Sequence, residues 1–336
     1  MQRQRLARRQ TAKMLDKGLI LGIDTSNYTT SAAICTLDGE IVLNLKKLLP
    51  VAEGEKGLRQ SDALFAHTKN LPEIMESLGK FLDENCPERK IVAVGYSKTP
   101  RDLEGSYMPC FLSGVAIASA ISATHGCRAY HFSHQSGHVM AALYSAKRLD
   151  LLEGKEKFAA FHVSGGTTEI LLVSPYEGGF SVELIGGTAD INAGQAIDRT
   201  GVMMGLRFPC GREMEGLIGD RNIAPTKTRI SVKGLECNLS GLENLTKKLY
   251  SETEDKALVS AYCFDFVADT LSKLTENLRE RYPEIPIIYA GGVMSNKRIG
   301  SRLAKNKNTY FSAPEFSSDN AAGVALLCRK KYLENN

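Results

Sequence analysis

Apolar residues between positions 18 and 49 fall in three short runs, GLILGIDTSNYTTSAAICTLDGEIVLNLKKLL, broken by polar turns at Ser26 to Tyr28 and Leu37 to Glu40. Runs of this length, rich in β-branched residues and bounded by turn formers, predict an antiparallel three-stranded meander. Residues 158 to 188, FAAFHVSGGTTEILLVSPYEGGFSVELIGGT, repeat the design, with a Gly-rich first turn and a second turn at Pro175 to Gly179. An offset of 138 residues brings Thr30 onto Thr168 and Ile34 onto Leu172. Such a duplication predicts two related halves, each opening with a meander and continuing into alternating helices and strands, with a ligand cleft between them.

Between the meanders the pattern predicts a helix around 60 to 84, a strand at 91 to 96, a helix around 110 to 125 and a strand near 127 to 131. A further helix, opening on HFSHQSGHVMAA, runs to about 147. After the second meander come a mostly helical stretch from about 193 to 281, a strand at 285 to 290, the turn GGVMSN and a helix. A short strand at 308 to 311 and a closing helix from about 319 complete the pattern. The fold class is α/β, divided into a basic, disordered leader at 1–17, a first half at 18–150 and a second half with a helical insertion at 151–336.

Hydrophobic residues at 43% and charged residues at 24% are the proportions of a soluble globular protein and exclude disorder of the whole chain. No apolar run approaches the roughly 18 to 20 residues of a membrane span, and no secretory signal opens the chain, so a cytoplasmic location is expected. The cysteines are scattered without a CxxC pair, which excludes a zinc knuckle and a disulfide framework. The formal charge of +4 is misleading. Residues 1–17 hold Arg3, Arg5, Arg8, Arg9, Lys13 and Lys17 against Asp16, so the remainder is close to neutral and carries no nucleic-acid signal of its own.

His131, His134 and His138 lie within eight residues of a chain with six histidines. Four apart on a helix, His134 and His138 share one face and suit two imidazoles converging on a metal. The same spacing also serves capping or core histidines, and both readings stand on spacing alone. His131, at the strand end, falls outside a first coordination shell. The residue after the first histidine is Gln135, which takes no proton, so the HExxH chemistry of a metalloprotease is disfavoured. Two histidines also leave a catalytic site short of a third ligand.

Three Gly-rich turns lie at predicted strand ends: Ser164, Gly165 and Gly166; Gly186, Gly187 and Thr188; and Gly291 and Gly292, followed by Asn296. One such turn is ordinary, but three in one half shift the reading toward a nucleotide held by backbone N–H groups. Neither a P-loop nor a post-strand GxGxxG is present. In GQAIDRTGVMMGLRFPCG, residues 194–211, Asp198 suits either a ribose contact or a solvated helix position.

LGIDTS (21–26), HQSGH (134–138), VSGGTTEI (163–170), GQAIDRTGVMMGLRFPCG (194–211), AGGVMSN (290–296) and SDNAAGVAL (318–326) together resemble the TsaD family. That family was long labelled O-sialoglycoprotein endopeptidase, or Gcp, and its members transfer a threonylcarbamoyl group to tRNA. The resemblance implies an actin-like ASKHA fold of two RNase-H-like halves. It adds Asp319, opening the final helix, to His134 and His138 as a metal site for iron or zinc. It places ATP or an acyl-adenylate, with magnesium, against Val163, Ser164, Gly165 and Gly166. Asp198 then lies at the ribose, with Gly211, Glu215 and Asn296 nearby. It implies tRNA, threonylcarbamoyl-adenylate and protein partners of the t6A machinery, no membrane, and no identified catalytic base.

Several departures fall among these motifs. The family's SCDET turn is here Ser26, Asn27, Tyr28, Thr29 and Thr30, without either acid, and its Gly-Pro-Gly turn is replaced by KTPRDLE at 98–104. Gln195 stands for a glutamate and Thr167 for a His or Asn. Two readings follow: metal-dependent threonylcarbamoyl transfer to the adenosine beside a tRNA anticodon, or a diverged paralogue. The paralogue binds ATP and metal but acts on another acceptor or serves as a non-catalytic subunit.

Overall fold

The computed structural model describes residues 18–26, 28–50, 58–86, 90–317 and 319–336. These form two compact units. One contains the described residues up to Tyr144 together with Asp319–Asn336, and the other is Ser145–Ser318. The leader expected at 1–17 lies outside the described residues.

In the first unit, β1 (Leu19–Ser26), β2 (Thr29–Thr36) and β3 (Ile41–Leu48) form the expected meander. Strand β4 (Ile91–Thr99) pairs parallel to β1, and β5 (Arg128–Ser133) pairs parallel to β4, in the sheet order β3-β2-β1-β4-β5. Every residue of β1 and β2 is buried, the mark of strands covered on both faces. Ile74, Leu78 and Leu82 of α1 (Gln60–Asn85) and Ala118 of α2 (Leu112–His125) close a core with Leu19, Leu21, Ile23, Ile34 and Val94. Helix α3 (His134–Ser145) follows β5 directly.

The second unit repeats the plan. Strands β6 (Phe158–Val163), β7 (Thr168–Tyr176) and β8 (Gly179–Thr188) form an antiparallel meander. Its helices are α4 (Ala193–Met203), α5 (Gly211–Ile218), α6 (Gly241–Thr253), α7 (Lys256–Arg281) and α8 (Lys297–Leu303). A hairpin of β9 (Ser231–Lys233) and β10 (Glu236–Asn238) interrupts the stretch expected to be mostly helical and extends the sheet beyond β8. With β11 (Ile287–Ala290) and β12 (Thr309–Phe311), the order is β12-β11-β6-β7-β8-β10-β9. Read from the parallel edge, β12-β11-β6-β7-β8 has the same order and directions as β5-β4-β1-β2-β3. The duplication seen in the apolar pattern is therefore a duplication of topology. The core of this unit gathers around α7, whose Val259, Cys263, Phe264, Val267, Leu271, Leu274 and Leu278 are fully or almost fully buried.

The division into contiguous halves at 150 and 151 differs from the contacts in two respects: the boundary falls between Tyr144 and Ser145, and the end of the chain returns to the first unit. Helix α9 (Ala322–Glu334) belongs to the first unit, where Ala322, Val324, Ala325, Leu326 and Cys328 are buried and the helix lies across β1 and β4. All eight cysteines are free thiols, and among the described residues no helix is long and apolar enough to cross a membrane.

Candidate metal centre and nucleotide-binding turns

The centre begins where β5 passes into α3. Ser133 caps the helix, its Oγ accepting from the Ser136 N–H at 3.1 Å. The Asp102 carboxylate accepts from the hydroxyls of Ser133 and Ser136 at 2.8 and 2.6 Å, and the Gln135 N–H donates to the Pro100 carbonyl at 3.0 Å. The stretch that departs from the family's Gly-Pro-Gly turn thus fastens the first turn of α3, which carries His134.

His134 Nε2 and His138 Nε2 are 2.9 Å apart, and Asp319 Oδ1 lies 3.1 Å from His138 Nε2 and 3.6 Å from His134 Nε2. Three donors around a tetrahedral ion at ordinary bond lengths are about 3.3 Å from one another, a value these separations bracket. Two borderline nitrogens with one carboxylate oxygen suit iron or zinc, so the residues fit the metal. Asp319 lies three residues ahead of α9, not within it as the sequence suggested. It is carried to the histidines because α9 approaches α3 at Gly323, where an added Cβ would meet the Gly137 carbonyl oxygen at 1.9 Å. His131 lies on β5, exposed and apart from the three.

The fully buried Asp24 of β1 completes the surroundings. Its Oδ2 lies 3.1 Å from His134 Nδ1 and 2.8 Å from Ser26 Oγ. A carboxylate on the far nitrogen of a ligating imidazole sets its tautomer and raises its basicity. Burial disfavours the His134 imidazolium, but the charge and hydrogen bond of Asp24, with the charge of Asp319, outweigh it and raise the pKa to about 9. The position favours positive charge. His67, on α1 and fully buried, behaves oppositely: burial lowers its pKa to about 4 against the pull of Asp24 and Asp319.

The expected nucleotide residues all lie in the second unit. Val163 ends β6, and Ser164 Oγ accepts from the N–H groups of Gly166 and Thr167 at 3.3 and 3.1 Å. Gly194, in the first turn of α4, donates to the Ser164 carbonyl, and its missing side chain leaves room for Gly165 Cα, 2.6 Å from where a Cβ would stand. Gly291 lies as close to Val163, and its φ of +104° is a conformation other residues rarely adopt. Two of the three Gly turns therefore pack together beside the start of α4. The third does not: Gly186 and Gly187 make room for Leu235 and Thr168 within the sheet.

The remaining expected residues have internal partners. Asp198 accepts from the Cys210 N–H at 2.7 Å, just before Gly211 opens α5, and burial raises its pKa although that bond opposes the shift. Asn296 caps α8 by accepting from the Ile299 N–H, and Glu215 accepts from the Lys297 N–H at 2.8 Å. Gln195, in the family's glutamate position, closes a capping box with Asn192. Asp24, His67 and Asp102 carry no individual sequence motif. For Asp24 a signal was available, as the lone acid in an otherwise apolar and hydroxylic strand.

Residues 51–326 match the TsaD family, described as tRNA N6-adenosine threonylcarbamoyltransferase. A protein of that name from Phocaeicola vulgatus is 28% identical over 340 residues, covering 95% of each chain. Another, from Streptococcus pneumoniae serotype 19F, is 30% identical over 331 residues, covering 94% of this chain and 93% of its own. Among solved structures, component A of the Acidaminococcus fermentans (R)-2-hydroxyglutaryl-CoA dehydratase superposes with a TM-score of 0.50 at 15% identity, covering 94% of this chain and 99% of its own. HypF of T. kodakarensis superposes with a TM-score of 0.61 at 11% identity, over 95% of this chain and 48% of that one. These likenesses concern the fold, which is of the actin-like ASKHA type. With the family matched over most of the chain's length and relatives of one name along nearly all of it, the chain belongs to the TsaD family of tRNA N6-adenosine threonylcarbamoyltransferases.

Proposed function

We propose that the protein transfers the threonylcarbamoyl group of threonylcarbamoyl-adenylate to N6 of the adenosine beside a tRNA anticodon, with iron or zinc at His134, His138 and Asp319. The observation that carries this reading is the convergence of those three donors in a chain of this family. The amine nitrogen attacks the carbamoyl carbon, the new C–N bond forms, the C–O bond to phosphate breaks, and AMP leaves as the amine proton passes to solvent. A metal at the three donors supplies Lewis-acid polarisation and a template.

The protein's own groups do the rest. Asp24 holds the His134 ring, and Asp102 fastens the helix turn that carries it. The turn at Val163 to Gly166, with the N-terminus of α4 beside it, offers N–H groups and a helix dipole to the departing phosphate. Gly211, Glu215 and Asn296 fix the neighbouring helix ends, and Asp198 is the candidate for the ribose. Magnesium would accompany a bound ATP. AMP is a good leaving group, so no strong general base is required. The nearly neutral body leaves part of the tRNA contact to partner proteins of the t6A machinery, and a tRNA acceptor implies work in the cytoplasm.

The test combines metal analysis with a tRNA modification assay, supplying threonylcarbamoyl-adenylate and partner subunits. His134→Ala is expected to lose both metal and transfer; full retention of both would sink the assignment. The absence of acids in the turn at Ser26 to Thr30 favours one alternative, a paralogue acting on another acceptor. Retained ATP binding without tRNA modification in the complete assay would select it.

A further inference from the structure

The near neutrality of the body hides one uneven stretch. From 221 to 235 the second unit carries Arg221, Lys227, Arg229 and Lys233 and no acid. Arg221 is paired with Asp255, at 2.9 and 2.6 Å. The other three side chains make no hydrogen bond or ion pair among the described residues.

Burial alternates along this stretch. Thr228 is buried and Ile230 and Val232 pack against the core, while Lys227, Arg229, Ser231 and Lys233 are exposed. That is the period of extended chain, in which every second side chain returns to the same side about 6.6 Å further on. It continues into β9, the edge strand of the seven-stranded sheet. The exposed side is a row of three cations and a hydroxyl roughly 20 Å long, stepped like the phosphates of an extended nucleic-acid strand. Glu236 stands opposite Lys233 on β10, and Glu280 and Arg281, beside Lys233, offset each other.

The start of the row is fastened from beneath. The fully buried Asp265 accepts from the Thr226 N–H at 2.8 Å, and Asp269 accepts from the Thr228 N–H and hydroxyl at 3.0 and 2.8 Å. Two residues of extended chain advance about as far as four of helix, roughly 6 Å, so the segment lies straight along α7. Arg298 donates to the Ile223 and Ala224 carbonyls at 3.0 and 3.3 Å and pairs with Asp265, and Arg302 pairs with both carboxylates. The acids beneath the row are thus neutralised from within and do not cancel its charge. A backbone held in this way loses little freedom when a ligand arrives.

We propose that Lys227, Arg229, Ser231 and Lys233 form a contact track for the phosphate backbone of an RNA strand. The row offers no exposed aromatic anchor of the kind a protein interface centres on, and repeated cations match repeated phosphates. This rests on a tRNA acceptor.

In the full chain, binding of unmodified tRNA is measured without acyl donor over a range of salt. Lys227→Gln, Arg229→Gln and Lys233→Gln together should lower the slope of log affinity against log salt by about 2, at roughly 0.7 per contact, and weaken binding about tenfold or more at low salt. Lys155→Gln, Lys157→Gln and Lys247→Gln make the same change of charge at exposed positions of the same unit and should leave the slope nearly unchanged. The basic residues of 1–17 are common to all these proteins and cancel in the comparison. A triple variant with the parental slope, a control that loses as much, or a parent that binds no tRNA overturns the proposal. So does a triple variant that self-associates on gel filtration with unchanged tRNA binding, which would make the cations guards of a sheet edge. A protein that holds tRNA through the row yet fails to modify it in the complete assay leaves the row standing and removes the acceptor reading.

Discussion

Replacing Gly323 by alanine puts a methyl group where two helices already touch. The added carbon would stand 1.9 Å from the Gly137 carbonyl oxygen, 2.7 Å from the Gly137 carbonyl carbon and 2.9 Å from the Ala141 nitrogen. A close but tolerable C···O contact is about 3.3 Å, so α9 and α3 must part locally by roughly 1.4 Å. All three obstructing atoms are helix backbone, so no rotamer change relieves the clash. Overpacking of this kind costs about 1–3 kcal/mol, which exceeds or cancels the roughly 1 kcal/mol that alanine gains over glycine in a helix. The same displacement moves Asp319 relative to His134 and His138. A metal site tolerates only about 0.5 Å, so affinity should fall by tenfold or more. Urea unfolding and Co2+ titration measure the two effects. Gly79→Ala is the control: it lies within α1 with nothing among the described residues within 4 Å of the added carbon, and should gain about 0.5–1 kcal/mol with unchanged Co2+ binding. A Gly323→Ala protein as stable as its parent, with parental Co2+ affinity, would refute the reasoning.

Asp24→Asn removes the charge behind His134 and should weaken Zn2+ or Co2+ binding about 10- to 100-fold in a direct titration. Gly291→Ala places a carbon 2.2 Å from the Val163 carbonyl at a φ of +104°; it should destabilise the second unit by more than about 1 kcal/mol in urea unfolding and weaken AMP binding by calorimetry. Asp190 is held at a pKa of about 2, as N–H groups of Leu239, Ser240 and Ile191 bond its carboxylate and outweigh its burial. A depressed pKa stabilises fully above the unfolded value of about 3.9, and that contribution fades as pH falls toward 2. The stability advantage over Asp190→Asn should therefore be constant from about pH 5 upward and shrink between about 4 and 2; a pH-independent difference in urea unfolding would contradict it.

The opening strands of the meanders, β1 and β6, were legible because burial on both faces leaves nearly unbroken apolar runs, and the duplication because Thr30 and Thr168 stand at the start of equivalent strands, β2 at Thr29 and β7 at Thr168. The histidine pair was legible in its spacing but not in its purpose, because Asp319 is 181 residues beyond His138 and only the α3–α9 approach joins them. The placement of Asp319 in the final helix failed because SDNAAG reads as a helix start, while α9 begins at Ala322. His67 gave no signal: it lies on an amphipathic helix without a motif, and its buried partner is Thr30, 37 residues away. Asp102 stands in the sequence only within the KTPRDLE departure; its value depends on two serine hydroxyls more than 30 residues later.

Because residues 145–318 separate the two parts of the first unit, that unit cannot be finished in the order in which a ribosome delivers it. At about 5–20 residues per second, the strands and α3 wait roughly 9 to 35 seconds for Asp319 and α9 to emerge. During that interval the face of β1 and β4 that α9 will cover is open, and the two histidines have no carboxylate beside them. A product released early can therefore carry a complete second unit and still lack the carboxylate that completes the candidate metal centre.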